Sequence, residues 1–198
     1  MKRRNILKLI PVAMLATAGV VGFSKFISAN NKPKTGELAN DDEKPKKMIT
    51  KEQLATLERN PDTVIPIEMS DADWKEVLPA NEYAVLRKEA TERPFTSPLD
   101  NEKRVGQFVC GGCGLALFES STKFDSRTGW PSFYDVIAER MGTKTDWKIG
   151  YPHTEYHCAR CGGHQGHVFK DGPLPTKLRY CNNGLALKFI PEDSVKTS

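Results

Sequence analysis

The sequence predicts a mainly β protein of the α+β class: an antiparallel β core with short helices on its N-terminal side. Two observations carry this. From Phe95 onward, short apolar runs alternate with Gly, Pro and Asp clusters, as strands bounded by turns do. Between Ile49 and Ala90, apolar residues are instead interspersed among charged ones in the manner of amphipathic helices. A chain of 198 residues accommodates one such domain with additional segments.

The elements follow in order. Residues 1–29 open with Lys2-Arg3-Arg4-Asn5-Ile6-Leu7-Lys8 and continue into the apolar run Leu9 to Phe23. A charged start before a modest apolar stretch reads as an export signal rather than as part of the fold. Its Arg3-Arg4 pair resembles a twin-arginine signal, which implies the twin-arginine export machinery as a partner and a periplasmic location. Lys8 and Pro11 interrupt the run, which suits a signal better than a spanning helix. Ser28-Ala29 offers small residues for cleavage, and a leader that is retained would leave the domain membrane-tethered. Residues 30–47, polar and charged with Pro33 and Pro45, read as a flexible linker to a domain over 48–198.

Within that domain, Ile49 to Leu54 begins a short helix that Asn60-Pro61 ends. Ser70 with Asp73 forms a capping-box-like start leading into Trp74 to Leu78. Pro79 breaks the run, and Asn81 to Ala90 resumes it; these helices are expected only to cover a sheet. Strands are expected at Gln107–Val109, Leu115–Phe118, His167–Phe169 and Leu185–Ile190.

Charge narrows the function. Of 29 basic residues, five (Lys2, Arg3, Arg4, Lys8 and Lys25) fall in the leader, leaving 24 against 25 acidic residues. A near-neutral body lacks the basic field that nucleic-acid binding needs.

The five cysteines divide into four and one. Cys110-Gly-Gly-Cys113-Gly and Cys158-Ala-Arg-Cys161-Gly-Gly have the form of two zinc knuckles, in which two thiolates separated by a tight turn point at one ion. Together they would complete a four-sulfur shell for one structural Zn2+, joining two hairpins that lie 44 residues apart. Two disulfides, or a redox-active pair, are the alternative use of this spacing. The twin-arginine route carries folded proteins, so the metal could be loaded before export.

Cys181 stands alone in Leu178-Arg179-Tyr180-Cys181-Asn182-Asn183-Gly184, just before an apolar run. Arg179 places a positive charge nearby, which favours the reactive thiolate. A lone cysteine is commonly a buried structural residue, and its surroundings decide otherwise here. Lys123-Phe-Asp-Ser126, Thr128-Gly-Trp-Pro-Ser-Phe133, His164-Gln-Gly-His-Val-Phe169, Asp171-Gly-Pro173 and Arg179-Tyr-Cys181 together resemble the B-type methionine sulfoxide reductases. The resemblance spans about residues 70–192, in the family's order and including both knuckles.

The resemblance implies the core of that family and reduction of peptide-bound methionine R-sulfoxide, with Cys181 as nucleophile. Attack on the sulfoxide sulfur leaves a cysteine sulfenic acid, and the oxygen must gain protons on the way. His suits this task at neutral pH, and His164 and His167 are implied in the site, His167 as the acid. Asn183 is implied to orient the reacting groups, and Arg179 to hold the thiolate. Trp130 is implied as an apolar wall for the substrate methyl, with Phe133 and Val168 beside it. The set His164, Val168 and Asn183 resembles the cysteine rather than the selenocysteine form. Gln165 stands where leucine is common, and Lys177 where glycine is.

Many members carry a second, resolving cysteine; here the other four are committed to metal. An external thiol or thioredoxin-like partner is therefore expected to regenerate Cys181. Monomer is the default state. A zinc-ribbon binding module would explain four cysteines but neither Cys181 nor the Gly129-to-Phe133 loop, and a thiol–disulfide oxidoreductase would need a free cysteine pair.

Overall fold

A computed structural model describes residues 46–147 and 152–192. The leader and all of the linker except Lys46 and Lys47 lie outside the described residues. Lys47, the last residue of the expected linker, belongs to β1 (Lys47–Met48), which pairs in parallel with β2 (Ile67–Glu68).

Three short helices follow the order read from the sequence: α1 (Lys51–Leu54), α2 (Asp71–Val77) and α3 (Ala80–Lys88). Helix α2 starts as its composition dictates, because the Ser70 hydroxyl accepts the Asp73 N–H at 3.1 Å and satisfies one orphan donor. Pro79, which cannot continue α2, sits at the N-cap of α3. The irregular chain between α1 and β2 is held by two buried guanidiniums. Arg140 donates to the carbonyls of Arg59 and Pro61, and Arg160 to that of Glu58.

The rest is antiparallel sheet. Strands β3 (Gly106–Cys110), β4 (Ala116–Glu119) and β11 (Leu187–Pro191) form a three-stranded sheet with β3 central. A six-stranded sheet runs β5-β6-β10-β9-β8-β7. Its members are β5 (Lys123–Phe124), β6 (Ser132–Phe133), β7 (Met141–Asp146), β8 (His153–Cys158), β9 (His164–Phe169) and β10 (Arg179–Asn182). The mainly β, antiparallel class expected from the sequence is the class observed.

The core forms where the sheets face each other. Phe118 stacks on Phe133 with ring centroids 4.0 Å apart, and Tyr156 and Tyr180 meet Phe118 edge-on at 6.4 and 6.2 Å. All four rings are fully buried. Tyr180 is directly opposite Phe133 on β6 and Val168 on β9, and these core-facing positions leave Arg179, Cys181 and His167 on the other face.

Two expectations change here. Cys181 lies within its own strand, β10, which Arg-Tyr-Cys-Asn does not announce because it has no apolar run. The helices do more than cover a sheet: Leu86 of α3 and Trp74 of α2 pack against Gly112, and Leu86 also against Gly163, in the two cysteine turns. They roof the four cysteines.

Candidate active site and metal centre

The two Cys-x-x-Cys turns converge as their spacing requires. Cys110 ends β3 and Cys158 ends β8, and each turn carries its second cysteine round to the same point. The four Sγ atoms lie within 4.8 Å of one another, all buried. Cys110 and Cys161 are 3.6 Å apart, as are Cys113 and Cys158. A disulfide needs about 2.05 Å, whereas a tetrahedron with metal–sulfur bonds of about 2.3 Å has edges of about 3.8 Å. All five cysteines are free thiols. Burial pushes the Cys113 and Cys158 thiols well above the ordinary value, while hydrogen bonds from the neighbouring cysteines pull Cys110 well below it, and a bound cation would favour the thiolate at all four. The residues present fit a four-sulfur metal site.

Cys181 lies on the opposite side of β10 from the core. Its direct partner across the β9–β10 ladder is His167, and Arg179 pairs with Phe169 two positions along. The four side chains therefore share one face. Burial pushes the Cys181 thiol above its ordinary value; the Arg179 charge and hydrogen bonds from Thr128 and Arg179 oppose this and favour the thiolate. Arg179 is itself fixed, forked onto Asp171 at 2.8 and 2.9 Å and lying 4.3 Å over the Phe169 ring.

His167 and His164 each have a carboxylate behind them. His167 Nε2 lies 3.0 Å from Asp146 Oδ2, and its ring meets that of His164 edge-on at 5.7 Å. His164 is buried, with Nδ1 2.8 Å from Glu155 Oε1. Glu155 is only 1% exposed, and its other oxygen is 2.9 Å from Lys144, which also pairs with Glu89. Burial pushes the Glu155 carboxyl up, but the hydrogen bonds from His164 and Lys144 outweigh it and hold the group below its usual range. An ionised Glu155 can only accept, so His164 Nδ1 is the donor in this pair.

The Thr128-to-Phe133 loop closes one side. Gly129 has φ +84°, and a Cβ there would stand 2.7 Å from the Phe95 nitrogen, so only glycine makes this turn beside Phe95. The turn presents Thr128 to the Cys181 sulfur and sends the Trp130 indole N–H 3.2 Å to the Glu92 carbonyl. The Pro131 carbonyl accepts the Asn182 N–H at 2.9 Å, pinning the loop to β10.

The structure thus brings together Cys181, His167, His164 and Arg179, with Trp130 on the adjoining loop. Three expected residues sit elsewhere. Phe133 has no exposed surface because its ring is stacked in the core. Val168 alternates to the face opposite His167 and packs towards Tyr180, so it does not line the sulfur's side of the sheet. Asn183 spends its amide on the backbone: Oδ1 accepts from Glu92 N–H at 3.1 Å and Nδ2 donates to the Gln165 carbonyl at 3.1 Å. It holds segments in place rather than reaching outward. Sequence reasoning assigned no role to Thr128, Asp146, Glu155 or Glu92. Thr128 lies inside the Thr128-to-Phe133 motif, whereas the β8 strand that carries Glu155 buries Glu155 and Tyr156 side by side and shows no alternation that would mark it. The pairings themselves are long-range.

A half-buried thiol beside an arginine, two carboxylate-backed histidines and an indole on the adjoining loop have the composition of an oxidoreductase site, on a β fold whose four-cysteine cluster could hold a metal ion. The SelR domain model matches residues 78–191. The peptide methionine sulfoxide reductase MsrB of Methanosarcina barkeri is 49% identical over 131 residues, 66% of this chain and 92% of that protein. Its counterpart in Methanosarcina mazei is 50% identical over 128 residues, covering 64% and 91%, and that of Bradyrhizobium diazoefficiens 50% over 124, covering 62% and 89%. The chain belongs to the SelR domain family, that of the MsrB peptide methionine sulfoxide reductases, and is an oxidoreductase.

Proposed function

We propose that the chain reduces peptide- or protein-bound methionine R-sulfoxide to methionine, with Cys181 as the nucleophile. The observation that supports this most directly is the Cys181 sulfur set opposite His167 and flanked by Arg179 and Thr128. The Cys181 thiolate attacks the sulfoxide sulfur while His167, oriented by Asp146, delivers a proton to the oxygen. The substrate sulfur leaves as a thioether and the hydroxyl ends on the cysteine, so that sulfoxide plus thiol gives methionine plus sulfenic acid. His164, held by Glu155, lies beside His167, and the Trp130 indole offers its face to the substrate methyl.

Two equivalents of an external thiol, or one dithiol of a thioredoxin-like partner, then return the sulfenic acid to thiol and release water. The other four cysteines are buried together in the metal cluster, which leaves no free resolving thiol in the chain. The cluster suits one structural Zn2+, held by Cys110, Cys113, Cys158 and Cys161, whose contribution is to fix the two turns and no step of the reaction. The leader composition supports export by the twin-arginine machinery and repair of oxidised proteins in the periplasm.

The test is turnover of peptide-bound R and S methionine sulfoxide, assayed separately with dithiothreitol, by the wild type and Cys181→Ser. Reduction of the R epimer alone, lost in the variant, is expected. Equal turnover of both epimers, or activity surviving in the variant, overturns the proposal.

A further inference from the structure

Gln165 sits in β9 between His164 and Gly166 and has no accessible surface. A glutamine in that position must find partners for its amide inside the core, or its burial costs on the order of 1–3 kcal/mol. Its Nε2 donates to the Cys110 sulfur at 3.5 Å and to the Gly163 carbonyl at 3.3 Å. Its Oε1 accepts from Asn182 Nδ2 at 3.5 Å. Its backbone carbonyl accepts both the Asn183 N–H, at 2.8 Å, and the Asn183 side-chain amide, at 3.1 Å. One residue thus reaches a cluster sulfur at one end and the strand that carries Cys181 at the other.

Electrostatics gives that arrangement a purpose. Four thiolates around a divalent cation leave two negative charges uncompensated, in a site with almost no access to water. Donors aimed at the turns must carry part of that charge. Arg87 does so at the Cys161 carbonyl, 2.9 Å away, and Arg160 at the Cys113 carbonyl, 3.4 Å away. Both act on carbonyls. Gln165 alone among these three places a side-chain N–H on a sulfur.

We propose that Gln165 is a positioning residue of the metal centre, donating to the Cys110 ligand and tying the cluster to the nucleophile's strand through Asn182 and Asn183. An apolar side chain of similar volume would fill the space and supply no donor. If Gln165 were only core filling, such a replacement would leave metal retention unchanged.

The full-length protein is therefore compared with Gln165→Leu and Gln165→Met, the second being unbranched and the more readily packed. Release of bound zinc to a chromophoric chelator, read without any assay of turnover, is expected to be about tenfold faster in both variants, as for loss of other outer-shell partners. With cobalt in place of zinc, loss of the N–H from sulfur raises the donor orbital, and the thiolate-to-cobalt absorption moves to longer wavelength. Wild-type release rates and an unshifted band in either folded variant overturn the proposal. Because both readouts concern the metal, their result stands whether or not the chain reduces methionine sulfoxide.

Discussion

Cys181 and His167 stand directly opposite each other across the β9–β10 ladder, on the face turned away from the core. Directly opposed residues of an antiparallel pair have Cβ atoms about 5 Å apart, so the sulfur and the imidazole share one small volume without any loop having to bring them together. Asp146 holds the imidazole from behind, 3.0 Å from Nε2.

If His167 supplies the proton, His167→Ala should lower kcat by about a hundredfold or more, the usual range for a lost general acid. Formation of the Cys181 thiolate, followed by alkylation, should change far less. Asp146→Asn should give a smaller loss in kcat, since it disturbs the ring's orientation and leaves the acid present. A His167→Ala enzyme with wild-type kcat on a peptide sulfoxide would move the acid to another group, with His164 the first candidate.

Arg179 has a separate task, at Cys181, the proposed nucleophile. Burial raises the Cys181 thiol, and the guanidinium and the Thr128 hydroxyl pull against that rise. Removing either should raise the thiol further and leave less thiolate at neutral pH. Arg179→Ala is therefore expected to shift the pH profile of Cys181 carboxymethylation, followed by mass spectrometry of its peptide, towards higher pH. Thr128→Ala should shift it in the same direction. A profile that moves to lower pH in either variant would contradict the assigned sign.

Much of this was legible in the sequence, and the reasons are local. The cysteine turns announce themselves through spacing and glycine, and the Ser70 cap and Pro79 break set helix limits within a residue or so. Strands β7, β8 and β10 were not announced. Met-Gly-Thr-Lys-Thr-Asp, His-Thr-Glu-Tyr-His-Cys and Arg-Tyr-Cys-Asn show no apolar run, because one face of each strand carries the polar groups of the site. The same alternation displaced Val168: one position along β9 from His167, it faces the core. Glu155 and Asp146 were silent because carboxylate–histidine pairs form across strands, at separations that no local pattern encodes.

The Glu155 pair should appear in the pH dependence of stability. Its carboxyl is held below the ordinary glutamate value of 4.5 in the folded protein. The folded state therefore binds fewer protons than the unfolded one in this window, and stability falls as pH falls. The contribution is complete above the unfolded value and disappears as pH drops through the depressed one. The stability difference between wild type and Glu155→Gln, from urea unfolding, should thus shrink as pH falls from neutrality to well below the ordinary glutamate value. A difference that stays constant across that range would mean that Glu155 is not ionised in the fold.

Gly129 offers a test of the loop alone. Any side chain must adopt φ +84°, and its Cβ would stand 2.7 Å from the Phe95 nitrogen, which itself donates to the Gly129 carbonyl at 2.7 Å. The left-handed conformation costs an L-residue roughly 1–2 kcal/mol, and the steric overlap adds to this, so the turn should open rather than absorb the strain. The atoms nearest a Cβ at Gly129 all belong to Phe95, outside the buried core rings and the cysteine cluster, so Gly129→Ala should keep its fold and its four-cysteine cluster. Thr128 and Trp130 flank the glycine on either side, and both should leave their places together. The expected signature is a shift of the Trp130 indole N–H resonance as its bond to the Glu92 carbonyl is lost, with kcat/KM on peptide sulfoxide reduced by about tenfold or more. Should the indole resonance stay put while activity falls, the loop would be acting through Thr128 on the thiol, and the alkylation profile of Cys181 would show it.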